Sequence, residues 1–187
     1  AASTVIAILV AVPCAYTLHR HRMFGHSYIQ TLITVPFILP TIVVAICFEN
    51  LRHFGSIGHL LLGQSPIVSI VAAHVFMNFG LATRIIGQVW NGLGSDTEDA
   101  AAVDGANQMR TFFSVTFPQL VPAIISAATL IFLYCMTSFG VVLVLGGGLV
   151  QSIETTIYFS ALHYLDLNTA TLLALIQILL CALVFGL

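Results

Sequence analysis

Few side chains in this sequence can do chemistry. Its 187 residues include seven acids, five arginines, no lysine, seven histidines and four cysteines. Four of the acids, Asp96, Glu98, Asp99 and Asp104, fall within nine positions of one stretch, SDTEDAAAVDGANQMRTFFSVTFPQL, residues 95–120. The other reactive groups are scattered. Cys14, Cys47, Cys135 and Cys181 sit in apolar runs without paired spacing, so they read as small buried hydrophobes and not as a disulfide or metal framework. His19, His21 and His26 have no carboxylate or cysteine near them in a basic link, which places them near lipid headgroups and predicts no metal site. Gly146-Gly147-Gly148 is no phosphate loop, because that loop needs a lysine. Gly55-Ser56-Ile57-Gly58 lacks the G-x-S-x-G spacing of a nucleophile elbow. No paired nucleophile and base is found, so the chain is not expected to be an enzyme.

His74 and Asn78 lie four apart, one helical turn, inside a long apolar run. Polar groups at membrane depth face a bundle interior or a water-filled path. The pair either lines a path or makes interhelical hydrogen bonds, and Gln177 carries the same two readings.

The elements that position these groups are membrane helices. The chain is 59% hydrophobic and 6% charged, against about 25% charged residues in soluble domains. With a formal net charge of −2, nucleic-acid binding has no electrostatic support. Five apolar segments are expected, at 4–18, 28–48, 66–90, 119–145 and 168–187. The first is short of the roughly 20 residues a span needs, and the last is still apolar where the sequence stops, so the sequence reads as a fragment of a longer membrane protein. The segments are continuously apolar and too long for barrel strands. Pro36 and Pro40 are expected to kink the second. After the three glycines, a short interfacial helix is expected over 154–165, with Ile157, Ala161, Leu162 and Leu165 on one face. Arg20, Arg22, Arg84 and Arg110 fall toward one side and Arg52 toward the other, which puts the first and third links, residues 19–27 and 91–118, in the cytoplasm.

The acidic stretch then reads as a folded element. Ser95 and Glu98 fit a capping box, and acids in a first helical turn oppose the macrodipole. Ala100-Ala101-Ala102 gives a smooth helical face. Gly105 suits the left-handed position that ends a helix, and Asn107 can cap the next one. There Met109, Phe112, Phe113 and Thr116 follow helical spacing and predict an apolar face. Pro118 is expected to begin the following membrane helix, where its missing N–H costs little.

This stretch resembles the EAA motif of binding-protein-dependent ABC importer permeases: Glu-Ala-Ala, three residues, Gly, nine residues, Ile-x-Leu-Pro. Here Asp99-Ala100-Ala101 is followed at the same spacing by Gly105 and then by Val115-Thr116-Phe117-Pro118. Asp99, Val115 and Phe117 replace Glu, Ile and Leu. The runs 73–90, AHVFMNFGLATRIIGQVW, and 138–158, SFGVVLVLGGGLVQSIETTIY, look most like the first half of thiamine permeases. Ferric-iron permeases come next, and sulfate, molybdate and polyamine permeases are more distant. The resemblance implies an all-α, polytopic transmembrane helical bundle in the bacterial inner membrane, one permease domain over residues 1–187 with its coupling segment at 91–118. It implies that Glu98, Asp99, Ala100, Ala101, Asp104 and Gly105 dock an ATPase, with Pro118 marking the return to the membrane.

The implied partners are an ATPase subunit dimer that holds ATP and Mg²⁺, a second permease half, fused or separate, and a periplasmic or lipid-anchored substrate-binding protein. Membrane lipid surrounds the chain, which itself is expected to carry no cofactor. The cargo it implies is thiamine or its phosphates, with ferric iron as the alternative. A path for an aromatic cation could use aromatic faces, which makes Phe76, Phe79, Tyr134 and Phe139 candidates beside His74 and Asn78. The helix middles hold no carboxylate for Fe³⁺. A secondary transporter or channel without an ATPase is the rival class, and it would be expected to carry more ionisable groups at mid-membrane.

Overall fold

The computed structural model describes residues 1–20, 26–55, 58, 62, 65–93, 100–101, 103 and 105–186, with the side chains of 19, 20, 26 and 27 also outside the description. Every regular element among the described residues is helical. In chain order they are α1 (Ala2–Arg20), α2 (His26–Ile38), α3 (Thr41–His53), α4 (Pro66–Gly92), α5 (Gln108–Thr111), a π-helical turn (Phe112–Thr116), α6 (Phe117–Met136), α7 (Phe139–Leu145), α8 (Ile153–Leu162) and α9 (Leu167–Phe185). Among the described residues three continuous helices are long and apolar enough to cross a membrane, Pro66–Gly92, Gln108–Met136 and Leu167–Phe185. The pair Tyr28–Ile38 and Thr41–His53 could supply a fourth span if taken together, and Ala2–Leu18 is a shorter apolar helix. The five expected segments are thus five spans or partial spans.

Helix α4 is the hub, in contact with α1, α2, α3, α6 and α7. Two cores form on it. In one, Ala7, Ala11 and Ala15 of α1 are fully buried beside Ala82, Ile86 and Trp90 of α4 and Leu120, Ala127 and Ile131 of α6. An alanine every fourth residue lets helix backbones approach closely, which is how membrane helices gain contact without a hydrophobic drive between them. In the other, Val44 and Ala45 of α3 and Val141, Val142 and Leu145 of α7 meet Ile70, Ala73 and Met77 of α4.

The structure sharpens the expected kink in the second segment and corrects the bounds of two others. The second is bent by 95° between Ile38 and Thr41. Pro36 sits within α2, and the break falls at Pro40, because a residue before proline is pushed out of the α region. The fourth segment is two helices, interrupted at Thr137 and Ser138. Gly140 explains the placement of α7: a β-carbon there would lie 2.8 Å from the Thr41 hydroxyl oxygen and 3.0 Å from Ile42. The short helix after the glycines is Ile153–Leu162, and its buried side chains are Thr155 and Ser160 while Leu162 is exposed. Its outward apolar side reflects a lipid surround instead of a wet one.

Candidate coupling site and polar cleft

Residues 100, 101 and 103 are helical. Gly105 has φ +79°, and the Ala106 N–H donates to the Ala101 carbonyl at 3.0 Å. That six-to-one bond around a left-handed glycine is a Schellman ending. Asn107 begins the next helix, its side-chain oxygen accepting from the Arg110 N–H at 2.8 Å. Glu98, Asp99, Asp104 and the Ser95–Glu98 capping box lie outside the described residues. Ala100 is exposed and Ala101 half-buried.

The apolar face expected on α5 splits in two. Phe112 turns inward and stacks on Trp90 at the end of α4, ring centroids 6.1 Å apart. Trp90 in turn meets Tyr16 of α1 at 5.5 Å. Met109 and Phe113 stay outward, 68% and 60% exposed, with Val103 at 88%. The turn therefore presents apolar side chains outward while one phenylalanine fastens it to the hub helix.

Pro118 stands in the first turn of α6, where it was expected, but α6 continues the turns before it instead of starting afresh. The helix runs unbroken over Gln108–Met136, and the residues just before Pro118 form the π turn, in which the Phe117 N–H bonds the Phe112 carbonyl. A proline ring excludes the ordinary bond to the carbonyl four residues back, here Ser114. A wider turn at that point lets the helix pass through.

The residues expected to line a path are not gathered in one place. His74 and Asn78 are buried inside α4. Asn78 donates to the carbonyl of His74 at 2.8 Å and approaches Cys135 Sγ at 4.0 Å, so one of them is engaged within its own helix. Phe79 belongs to an apolar groove with Phe48 and Phe76. Tyr134 makes an edge contact with Phe37 at 5.4 Å, and Phe139 meets Tyr158 at 5.1 Å. Gln177 does make an interhelical bond, donating to Glu154 of α8. Among the described residues no group of three His, Cys, Asp or Glu side chains could hold a metal ion.

Sequence reasoning missed a polar cleft of about 520 Å³ between α2 and α4, near the end of α1. Gly80, Arg84, Gln88 and Asn91 form its α4 wall, and Gln30 and Thr34 face them from α2. The signal was present in the spacing, since 80, 84, 88 and 91 share one helical face.

A family model described as "Binding-protein-dependent transport system inner membrane component" matches residues 3–187. The chain belongs to that family. Among its relatives are the "Thiamine transport system permease protein ThiP" of Haemophilus influenzae, 31% identical over 99% of this chain and 36% of the relative, and that of Salmonella typhimurium, 34% identical over 96% and 35%. The "Sulfate transport system permease protein CysT" of Salmonella typhimurium is 29% identical over 86% of this chain and 61% of its own length. This chain therefore spans about a third of the length of the thiamine relatives. A solved bacterial ABC transporter involved in the import of the acidic polysaccharide alginate has a similar fold, with TM-score 0.65 and 14% identity over 97% of this chain and 73% of that one. The competitor to thiamine among these relatives is sulfate. The ferric-iron alternative drawn from the sequence has no support among them.

Proposed function

We propose that this chain forms half of the translocation pathway of an ATP-driven importer in the bacterial cytoplasmic membrane. The observation that carries the proposal is the element around Gly105: a capped turn, apolar outward at Val103, Met109 and Phe113, and stacked through Phe112 on the hub helix. A partner that seats this turn can pull on α4 directly. In this reading Glu98, Asp99, Ala100, Ala101, Asp104 and Gly105 dock a separate ATPase dimer, which binds ATP and Mg²⁺ and does the hydrolysis. Closure of that dimer rocks this half against a second permease half, and a substrate-binding protein docks on the outer links, residues 49–65 and 146–167. Thiamine or its phosphates is the proposed cargo, supported by the thiamine permease relatives. Sulfate is the second reading.

Two substitutions in the whole transporter test the docking role. Gly105→Val places a β-branched residue at φ +79°, a conformation such residues rarely adopt. Asp99→Arg reverses the charge. Both are expected to abolish ATPase association and transport, and survival of both activities would refute the assignment. Cargo is tested on the partner binding protein, where tight thiamine binding supports the proposal and tight sulfate or ferric-iron binding replaces it.

A further inference from the structure

We propose that the cleft between α2 and α4 binds a phosphate group, gripped by Arg84 with the amides of Gln88 and Gln30 beside it. Helices α2 and α4 touch backbone to backbone at one point: a β-carbon on Gly80 would lie 2.0 Å from the Ile33 carbonyl oxygen. From that contact they part toward the end of α4, and the opening is the cleft of about 520 Å³. That volume falls in the range of small-molecule sites.

Among the described residues Arg84 is the only charged side chain lining it. It is exposed, and among the described residues it forms no ion pair. Glu49, the carboxylate that does pair with an arginine, is committed to Arg52 on α3. Two of the three threonine hydroxyls in the wall point elsewhere, Thr34 to the Gln30 carbonyl and Thr83 to the Phe79 carbonyl, each at 2.8 Å. The other donors in the wall are the Arg84 guanidinium fork, the amides of Gln30, Gln88 and Asn91 and the Thr31 hydroxyl, and among the described residues no carboxylate lines the cleft. That set suits an oxyanion and repels a cation, and the fork matches phosphate oxygens two at a time.

Depth supports the same ligand. Arg84 lies five residues past the midpoint of the 27-residue α4, which is roughly 7 Å along the axis at 1.5 Å per residue. The hydrocarbon half-thickness is about 15 Å, so the guanidinium can extend up to the headgroup level as long basic side chains do. Tyr28, 83% exposed, marks that level on α2, where interfacial aromatics gather. Basic pockets between membrane helices on the cytoplasmic side are the usual place for lipid phosphate. Leu18, Ile33, Val35 and Ile38 supply the apolar part of the lining and would receive an apolar tail or ring. The phosphate could come from a phospholipid headgroup or from a soluble phosphate compound. This inference does not depend on which cargo the importer carries.

The test uses the whole transporter, wild type and Arg84→Gln, stripped of lipid in neutral detergent. One arm measures phosphatidylglycerol retained after incubation, and the other the thermal midpoint on titration with inorganic phosphate at constant ionic strength. Losing a charge-assisted bond is expected to weaken binding about tenfold. Retention of phosphatidylglycerol lost in Arg84→Gln, with no response to phosphate, supports a headgroup site. A phosphate-dependent midpoint lost in Arg84→Gln supports a soluble ligand. Wild type and Arg84→Gln indistinguishable in both arms overturns the proposal. Should Arg84→Gln fail to assemble, Arg84→Lys and Gln88→Leu carry the comparison: partial loss in each supports the site, and unchanged retention and midpoint in both overturn it.

Discussion

Helices α4 and α9 are both long enough to cross a bilayer, and the more apolar of the two is the less buried. Half of the apolar window of α4 is buried against other helices, and only 11% of that of α9. Helix α4 buries Ser69, His74, Asn78 and Thr83 together with Gly80, Ala73 and Ala82. Helix α9 buries Ala170 and Gln177 and turns Leu172, Leu175, Ile178, Leu179 and Leu183 outward. In water the apolar face would point in. In lipid there is no gain in hiding leucine, because the solvent is as apolar as the side chain. What goes inside is what packs closely or needs a hydrogen-bond partner. Leucine density therefore marks the lipid-facing helix, and small and polar residues mark the hub.

The widest separation between the two helices is expected from large-to-small truncation. Trp90→Ala removes the ring that stacks on Phe112 and meets Tyr16, and should cost about 3–5 kcal/mol. Leu179→Ala on α9, at a side chain 69% exposed, should stay within about 0.5 kcal/mol. Thermal unfolding in nanodiscs measures both. Equal losses would break the distinction between hub and rim. Next in size is Gly80→Val, where the β-carbon would collide with the Ile33 carbonyl. Overpacking of this kind costs about 1–3 kcal/mol, and cysteine cross-linking between α2 and α4 should show them driven apart.

This inversion also explains what could be read without coordinates. Apolar runs located the helices, since span length is set by the bilayer. Local chemistry located the turn: glycine at 105 and asparagine at 107 do what their side chains dictate, as φ +79° and the bond to the Arg110 N–H record. Pro40 announced a bend but not 95°, because α3 is held by its packing on α7. The break at Thr137 and Ser138 was marked only by those two small hydroxyl residues, which membrane helices also carry unbroken. Nor did any periodicity join Trp90 to Phe112, whose stacking is a tertiary fact. The helix after the three glycines was expected to carry Ile157, Ala161, Leu162 and Leu165 on one interfacial face; Leu162 is exposed, but the helix ends there and Leu165 lies beyond it. The polar cleft had its α4 stripe in plain sight, and only the Gly80–Ile33 contact supplied the opposing wall.

A smaller effect sharpens the comparison on α9. Gln177, its one buried amide, donates to Glu154 and leaves its own oxygen without a partner. Gln177→Leu should cost about 0.6 kcal/mol, the average for such bonds between membrane helices. A loss as large as that of Trp90→Ala would mean that α9 is held by tertiary bonds after all. Thermal unfolding of that variant beside Leu179→Ala reads the difference.

The smallest effect concerns how α9 begins. Asp166 caps it, accepting from the Thr169 hydroxyl at 2.6 Å and the Thr169 N–H at 3.1 Å. Those bonds, the hydroxyl's first, hold its carboxyl below the usual carboxylate range. A depressed acid stabilises fully above its unfolded pKa, near 3.9 for aspartate, and loses that contribution as pH falls through the folded value. The protection of the first α9 amides against hydrogen exchange, taken relative to the intrinsic rate at each pH, should therefore fall in acid. Asp166→Asn, a comparable cap that does not titrate, should remove this acid response while leaving exchange at neutral pH nearly unchanged. Asp166→Ala should quicken exchange at every pH. If Asp166→Ala exchanges like the wild type, the bilayer alone defines the start of α9 and its cap is idle. If it frays, a helix with little tertiary support depends on a terminal hydrogen bond that α4, clasped by five neighbours, lacks altogether: Ser65 sits at its N-cap with no side-chain bond.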